Sequence, residues 1–387
     1  MELKHLLKKR SGNNILFRLN MDMMFEAYLA HESGQLEPDD IPHTKEPVWI
    51  LGKKYSAIHD IDSIRNDIRS RLWFSYRKGF VPIGDSGLTS DKGWGCMLRC
   101  GQMLIGQALL NLHLGRDWIW TPSCLDSKYH QILRMFEDRR SATYSIHQIA
   151  LMGASEGKQV GDWFGPNTVA QVLKKLAVYD EWSGLVVHVA LDNLLVINEV
   201  RRLCRVNARY VPARSWKSLL LIIPLRLGIN EINSVYIKGL KTCFMFPQSV
   251  GIIGGKPNHA LYFIGCVGND VIFLDPHTTQ SIRDRKEPHG YDKMDSSYHC
   301  QQASRLHILH MDPSVAVGFF CKTEADFDSL CKNIRDRIMV EKQPLFELTE
   351  ERPDMWTEQA QEATTLTHNV SRVKQLDDSD EDFELLG

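Results

Sequence analysis

The chain has 387 residues, a formal net charge of −2 and 43% hydrophobic residues. That is ample for one large core, or for a core plus a small subdomain. The near-balanced charge carries no electrostatic footprint for nucleic acid or an anionic membrane, and no apolar run reaches the length of a membrane-spanning helix.

Residues 1–45 read as a peripheral, partly flexible extension. Its basic start is interrupted by Asn and Arg and makes a poor signal peptide. A short helical stretch over 21–30 leads into Glu37-Pro38-Asp39-Asp40-Ile41-Pro42, which has the composition of a linker. Compact structure is expected from Val48 onward and through about residue 350. A helix over 61–70 has Asp60 and Asp62 placed for capping. A long apolar helix runs over 96–114, stopped by Gly115. Further helices are predicted over 128–136, 145–152 and 168–177. Strands are predicted over 185–189, 219–225, 250–253, 261–266, 271–274 and 315–321. Thr323 with Asp326 resembles a capping box for a last helix, reaching about residue 339. Helices come first and strands later, which favours an α+β fold.

Nine cysteines are scattered along the chain, an odd number with no Cys-x-x-Cys pair. That pattern fits a reducing, cytosolic setting in which most are small buried hydrophobes, and nothing local argues for zinc.

One cysteine stands apart. Cys96 follows Gly93-Trp94-Gly95 and opens the long apolar helix. A cysteine attacks as thiolate, and the free amides and positive dipole end of a helix's first turn favour that charge. The glycines permit a tight approach and a close-lying substrate backbone. Cys100 lies one turn later; core packing is the favoured reading, with a redox partner for Cys96 as the sharper one, although an i, i+4 pair in a helix has poor disulfide geometry.

Two histidines compete as the base. Asp275-Pro276-His277 places a carboxylate two residues before an imidazole, on one face if the backbone is extended. His259, in Asn258-His259-Ala260, resembles the histidine that opens a strand in papain-like proteases, and Asp275 would serve it equally well. Periodicity does not choose between them.

Several long segments together resemble the autophagin family, the autophagy-related cysteine proteases. They include Trp49-Ile50-Leu51-Gly52, Arg71-Leu72-Trp73-Phe74-Ser75-Tyr76-Arg77, Gly93 to Gln102, and Trp163-Phe164-Gly165-Pro166-Asn167. Pro224-Leu225-Arg226-Leu227-Gly228, Asp275 to Gln280 and Asp312 to Phe320 continue the match in the same order, over roughly residues 47–348. The resemblance implies an α+β, papain-like fold with a small inserted helical or finger subdomain, and a peptidase domain over 46–350. It implies Cys96 as nucleophile, His277 as base and Asp275 as its orienter, because the family carries other residues at the position of His259. Tyr76 looks like the tyrosine that assists the oxyanion, and Trp163 with the loop around Pro257 like the lid that admits a glycine and rejects larger side chains. The implied partners are the ubiquitin-like modifiers of autophagy, the autophagy-related protein 8 family. These would be cut after their terminal glycine before conjugation to phosphatidylethanolamine, and later cut from that lipid. No cofactor or metal is implied, and the chain is expected to act as a monomer that meets autophagic membranes only through the lipidated modifier.

Residues 351–387 hold ten acidic and three basic residues, a charge of −7, and read as a disordered acidic tail. At its end, Phe383-Glu384-Leu385-Leu386 follows acidic residues and resembles a modifier-interacting motif, with Phe383 and Leu386 seated in pockets as the tail adds a strand. The alternatives are a protease of the ubiquitin-fold modifier and a catalytically weak modifier-binding scaffold.

Overall fold

The computed structural model describes residues 41–205, 215–282, 294–301 and 303–352. The helical stretch expected over 21–30 and the tail motif at Phe383 and Leu386 lie outside them.

Nine strands form one sheet: β1 (Pro47–Ile50), β2 (Lys53–Ser56), β3 (Val186–Val189), β4 (Leu219–Arg226), β5 (Ser249–Lys256), β6 (His259–Val267), β7 (Asp270–Leu274), β8 (Ser304–His307) and β9 (Ser314–Cys321). Their order is β8-β7-β6-β5-β9-β4-β3, with β1 paired to both β2 and β6. The pairings are antiparallel except β3 with β4, where Val186 lies beside Leu219. Alternation assigns each face its own core. Leu220 and Ile222 of β4 and Ala316 and Phe320 of β9 join one cluster of buried apolar residues. Leu219, Leu221, Ile223, Val317 and Phe319 join the other. Both faces are covered, so Leu219 to Ile223 reads as an unbroken apolar run rather than an alternating one. Each such side chain contributes about 1.5–3 kcal/mol by leaving water.

Eight helices of more than four residues occur among the described residues: α1 (Ile61–Arg69), α2 (Cys96–His113), α3 (Ser127–Met135), α4 (Ile146–Met152), α5 (Pro166–Leu176), α6 (Ile197–Cys204), α7 (Ile237–Met245) and α8 (Glu324–Arg337). The central one, α2, is buried along residues 96–111 and packs on β5 and β6. Its apolar character all round is that of a core helix. Gly115, at φ 89°, ends it by donating its N–H to the Leu110 carbonyl at 3.1 Å. The capping box of α8 is formed as expected, with the Thr323 and Asp326 side chains each accepting from the other's backbone N–H.

Two expectations about these elements differ from the structure, and two helices had none. Asp60 stands at the N-cap of α1 but makes no side-chain cap; its carboxylate accepts from the Ser56 N–H at 2.8 Å instead. Helix α5 begins at Pro166, two residues earlier than expected, because proline's fixed φ suits the first helical position. Helices α6 and α7 were not legible. Gly239 weakens the helical pattern of α7, which is held by the burial of Leu240, Cys243 and Phe244. Among the described residues no helix is long and apolar enough to cross a membrane.

Candidate active site

The first residue of α2 is Cys96, 7% exposed, and its approach is fixed by Asp91. The Asp91 carbonyl accepts the Gly95 N–H at 2.8 Å, and its carboxylate accepts the Arg77 N–H at 2.6 Å and Arg99 Nε at 2.7 Å. Gly95 is required by close approach: a Cβ there would lie 2.6 Å from the Asp91 side chain. Burial alone would lower the Arg99 pKa, but the carboxylates of Asp138 and Asp91 hold it above the usual arginine value. This buried ion triad anchors the start of the cysteine helix to residues 77–91, and nothing in the residue pattern singled it out beyond an acid in a Gly-rich turn.

Asp275 follows β7 in a turn rather than in extended backbone. Its Oδ1 accepts the His277 N–H at 2.9 Å, an Asx-type closure two residues long, and lies 2.5 Å from His277 Nδ1. The two side chains therefore meet as expected, but through a turn and not through strand alternation. A carboxylate only accepts, so Nδ1 carries the proton and Nε2 is left as the basic nitrogen. Burial alone would raise the Asp275 pKa; contacts from His259 and His277 more than offset this and hold the carboxyl far below its usual range.

Tyr76 is fully buried and packs edge-on against His277, with ring centroids 5.3 Å apart. Its backbone donates to the Pro276 carbonyl at 2.8 Å and accepts from the Gln280 N–H at 2.9 Å, while Trp73 Nε1 donates to the Asp275 carbonyl at 2.7 Å. The short parallel pairing of Arg77–Lys78 with Gln280–Ser281 continues this zipper. The segment before the cysteine helix is thus laid directly along the Asp275–His277 turn.

A groove of about 220 Å³ opens at the cysteine. It is lined by Cys96 and Met97 at the start of α2, by Trp163 to Pro166 at the start of α5, and by the turn between β5 and β6. Trp163 is anchored by its Nε1, which donates to the Gly93 carbonyl at 2.8 Å. In the facing turn Lys256 and Asn258 line the groove, and Pro257 sits exposed between them. Pro257 with Asn258 at φ 61° is the residue pair a type II turn prefers. Phe164, Asp312 and Ser314 also line the groove, none of them singled out by its own chemistry beforehand.

His259 is in this groove too. It lies 3.4 Å from Asp275 Oδ2 through Nε2 and is stacked on His277, so both candidate bases reach one carboxylate. Cys100 is fully buried, and burial, with Cys96 and Asp275 adding, pushes its thiol well above the usual range. That environment favours a packed, inert thiol.

A family model described as the Peptidase C54 catalytic domain matches residues 61–333. The chain is 49% identical to cysteine protease ATG4B of Gallus gallus, over 94% of this chain and 100% of that protein. It is 47% identical to cysteine protease ATG4A of Mus musculus, over 90% of this chain and 94% of that protein, and 48% identical to the ATG4A of Gallus gallus. A helix-borne cysteine, an Asp–His turn and a family match across most of the described residues agree: the chain belongs to the Peptidase C54 family and is a cysteine peptidase.

Proposed function

We propose that this peptidase cleaves ubiquitin-like modifiers of the autophagy-related protein 8 family after their C-terminal glycine, and later releases the same glycine from phosphatidylethanolamine. The observation that carries the reading is the groove at Cys96, lined by Trp163 and by Lys256 and Asn258 of the β5–β6 turn, which supports binding of an extended tail whose terminal glycine reaches the sulfur. Autophagy is the process implied by the names of the relatives, and a cytoplasmic setting accords with the cysteine usage.

In this reading Cys96 attacks the carbonyl of the terminal glycine after its thiol proton passes to His277 Nε2, and Asp275 holds the imidazole by its Nδ1–H. The tetrahedral oxyanion is stabilised by the Cys96 backbone N–H and the Tyr76 hydroxyl. His277 then returns the proton to the leaving amine, of a peptide or of the lipid headgroup. Water, deprotonated by the same histidine, hydrolyses the thioester. One chemistry serves both substrates because both are amides of the same glycine.

The fold is papain-like in this reading, and the small inserted subdomain corresponds to α6 with its flanking strand Leu194–Val196. These share the second core through Leu195, Ile197 and Val200 rather than forming one of their own. The peptidase domain spans 46–350 and acts as a monomer. The acidic tail supplies a second contact to the modifier through Phe383 and Leu386, and Cys100 packs the helix rather than serving redox control.

The test is cleavage of a modifier carrying residues after its terminal glycine, and of its phosphatidylethanolamine conjugate in vesicles, beside a ubiquitin-fold modifier precursor. Both autophagy substrates should be cut by the wild type and not by Cys96→Ser, with His277→Ala down by roughly 10³-fold or more. Cleavage of the ubiquitin-fold precursor alone, or full activity in Cys96→Ser, would overturn the reading.

A further inference from the structure

The proposed chemistry uses Asp275 and His277 and leaves His259 without a task, yet His259 is held as closely as either. It opens β6 opposite Lys256, and a Cβ at the preceding Gly255, which pairs with Ala260, would lie 2.1 Å from the His259 carbonyl oxygen, so no other residue at 255 would allow this backbone approach. Its ring lies on the His277 ring with centroids 3.5 Å apart and planes within 11°. Its Nε2 faces Asp275 Oδ2, the oxygen that His277 does not use. It is 6% exposed, and that exposure is onto the groove it shares with Cys96.

The three groups also have the composition of a metal site, with ligand atoms within 4.8 Å of one another. The distances decide against it. Two donors on one tetrahedral zinc, each about 2.0–2.1 Å from the ion, stand roughly 3.3 Å apart. His277 Nδ1 and Asp275 Oδ1 are 2.5 Å apart, too close for two ligands of one ion and the contact of a short hydrogen bond. Parallel stacked rings also aim their lone pairs side by side rather than at one point.

We propose that His259 is a positioning residue of the acid–base pair: its flat face fixes the plane of the His277 ring, and its Nε2–H occupies the second oxygen of Asp275 so that Oδ1 is presented to His277. The inference rests on the reading of Cys96, Asp275 and His277 as the catalytic unit. The stack is the stronger contact, since 3.4 Å is long for a hydrogen bond. When the thiol proton moves to His277, the resulting imidazolium lies over a neutral aromatic face that accommodates its charge. A protonated His259 would instead repel it and compete for Asp275. Burial lowers the His259 pKa, with His277 and Lys256 adding to the effect and Asp275 opposing it, so the ring is neutral at neutral pH. The groups facing it are Asp275, His277 and, along the groove, Lys256 and Asp312.

The experiment compares the full-length wild type with His259→Ala, which loses face and donor, and His259→Phe, which keeps the face and cannot be protonated. His259→Gln, which keeps a donor and loses the face, stands in should the alanine protein not fold. Cleavage of a tail-extended modifier is followed from pH 5.5 to 8.5, with thermal unfolding as the fold control. His259→Ala and His259→Gln should lower kcat about 10-fold with KM within about 2-fold, the signature of a misplaced reacting group. His259→Phe should stay within about 3-fold of wild type and lose a smaller fraction of its activity than wild type as the pH falls from 7.5 to 5.5. The same ranking is expected in the rate of Cys96 alkylation by iodoacetamide at pH 6.5, which needs no protein substrate. Wild-type kcat in His259→Ala, or an equal loss in His259→Phe and His259→Ala, overturns the proposal while leaving the catalytic unit intact. Activity surviving in Cys96→Ser or His277→Ala would remove the catalytic unit itself. Failure of the wild type to cut the modifier would remove only the substrate, since the alkylation series still reads the role of His259.

Discussion

His259 and His277 share one carboxylate, each facing a different oxygen of Asp275, at 3.4 and 2.5 Å. The first opens β6, and the second lies in the turn that follows β7. Antiparallel pairing of β6 with β7 sets Tyr262 beside Leu274, which brings the start of one strand next to the end of the other. Two residues 18 positions apart thereby become stacked neighbours. That arrangement makes the neighbourhood of Cys96 depend on the sheet as well as on its own helix.

The helix start is the next point of leverage. Gly95→Ala would drive a Cβ into Asp91 and loosen the anchor of Cys96. We expect a loss of about 1–3 kcal/mol in unfolding free energy, in the range for overpacking. Activity should fall by more than the folded fraction does, because the thiol is displaced. Urea denaturation read beside kcat checks both, and an unchanged midpoint would refute the steric argument.

Trp163 is expected to set selectivity rather than chemistry. Trp163→Ala should release the wall held by the Gly93 carbonyl and widen the groove. The preference for a modifier tail ending in glycine over one ending in alanine should drop about 10-fold, the size of discrimination one methyl group supports. The ratio of kcat/KM for the two tails measures it, and a retained ratio would mean that the turn opposite is the sieve.

Two buried histidines make the fold acid-sensitive. Burial lowers His188 to about 4 and His299 to about 3, against about 6.5 in the unfolded chain. Both are neutral in the native state, so the unfolded chain takes up protons first as the pH falls. Their contribution is complete above pH 6.5 and is lost downward, through about 4 for His188 and about 3 for His299. Unfolding free energy at pH 5 should be lower than at pH 7 by about 2–4 kcal/mol. Equal stabilities at the two pH values would show that neither ring stays neutral.

The tail makes a separable prediction. Phe383→Ala with Leu386→Ala, in a Cys96→Ser background, should weaken modifier binding by about 10-fold, as expected for two anchors leaving their pockets. In the active enzyme the same pair should leave alkylation of Cys96 by iodoacetamide unchanged. Calorimetric titration with the modifier decides it; equal affinity would reduce the tail to solvated charge.

Legibility followed the range of the forces involved. The strands of β4, β5, β6, β7 and β9 were readable because sheet burial on both faces writes short apolar runs into the chain. Helix α2 was readable because it is buried all round and ended by Gly115. Helices α6 and α7 were not, since their short, mixed sequences form helix only against the second core. Asp91 was missed for the same reason: its meaning lies in Arg99, Arg77 and the missing Cβ of Gly95, contacts made by packing.

By itself the sequence determined the family, the cysteine at a helix start, and the closeness of Asp275 to His277, because each is carried by residues within a turn or by contiguous segments of the chain. Periodicity did not choose between His259 and His277, the family resemblance favoured His277, and tertiary structure recast that choice. Folding β6 against β7 stacks the two imidazoles and divides one carboxylate between them, leaving His277 with the shorter contact and His259 with the face beneath it. Long-range strand register, which no local spacing encodes, is the physical reason.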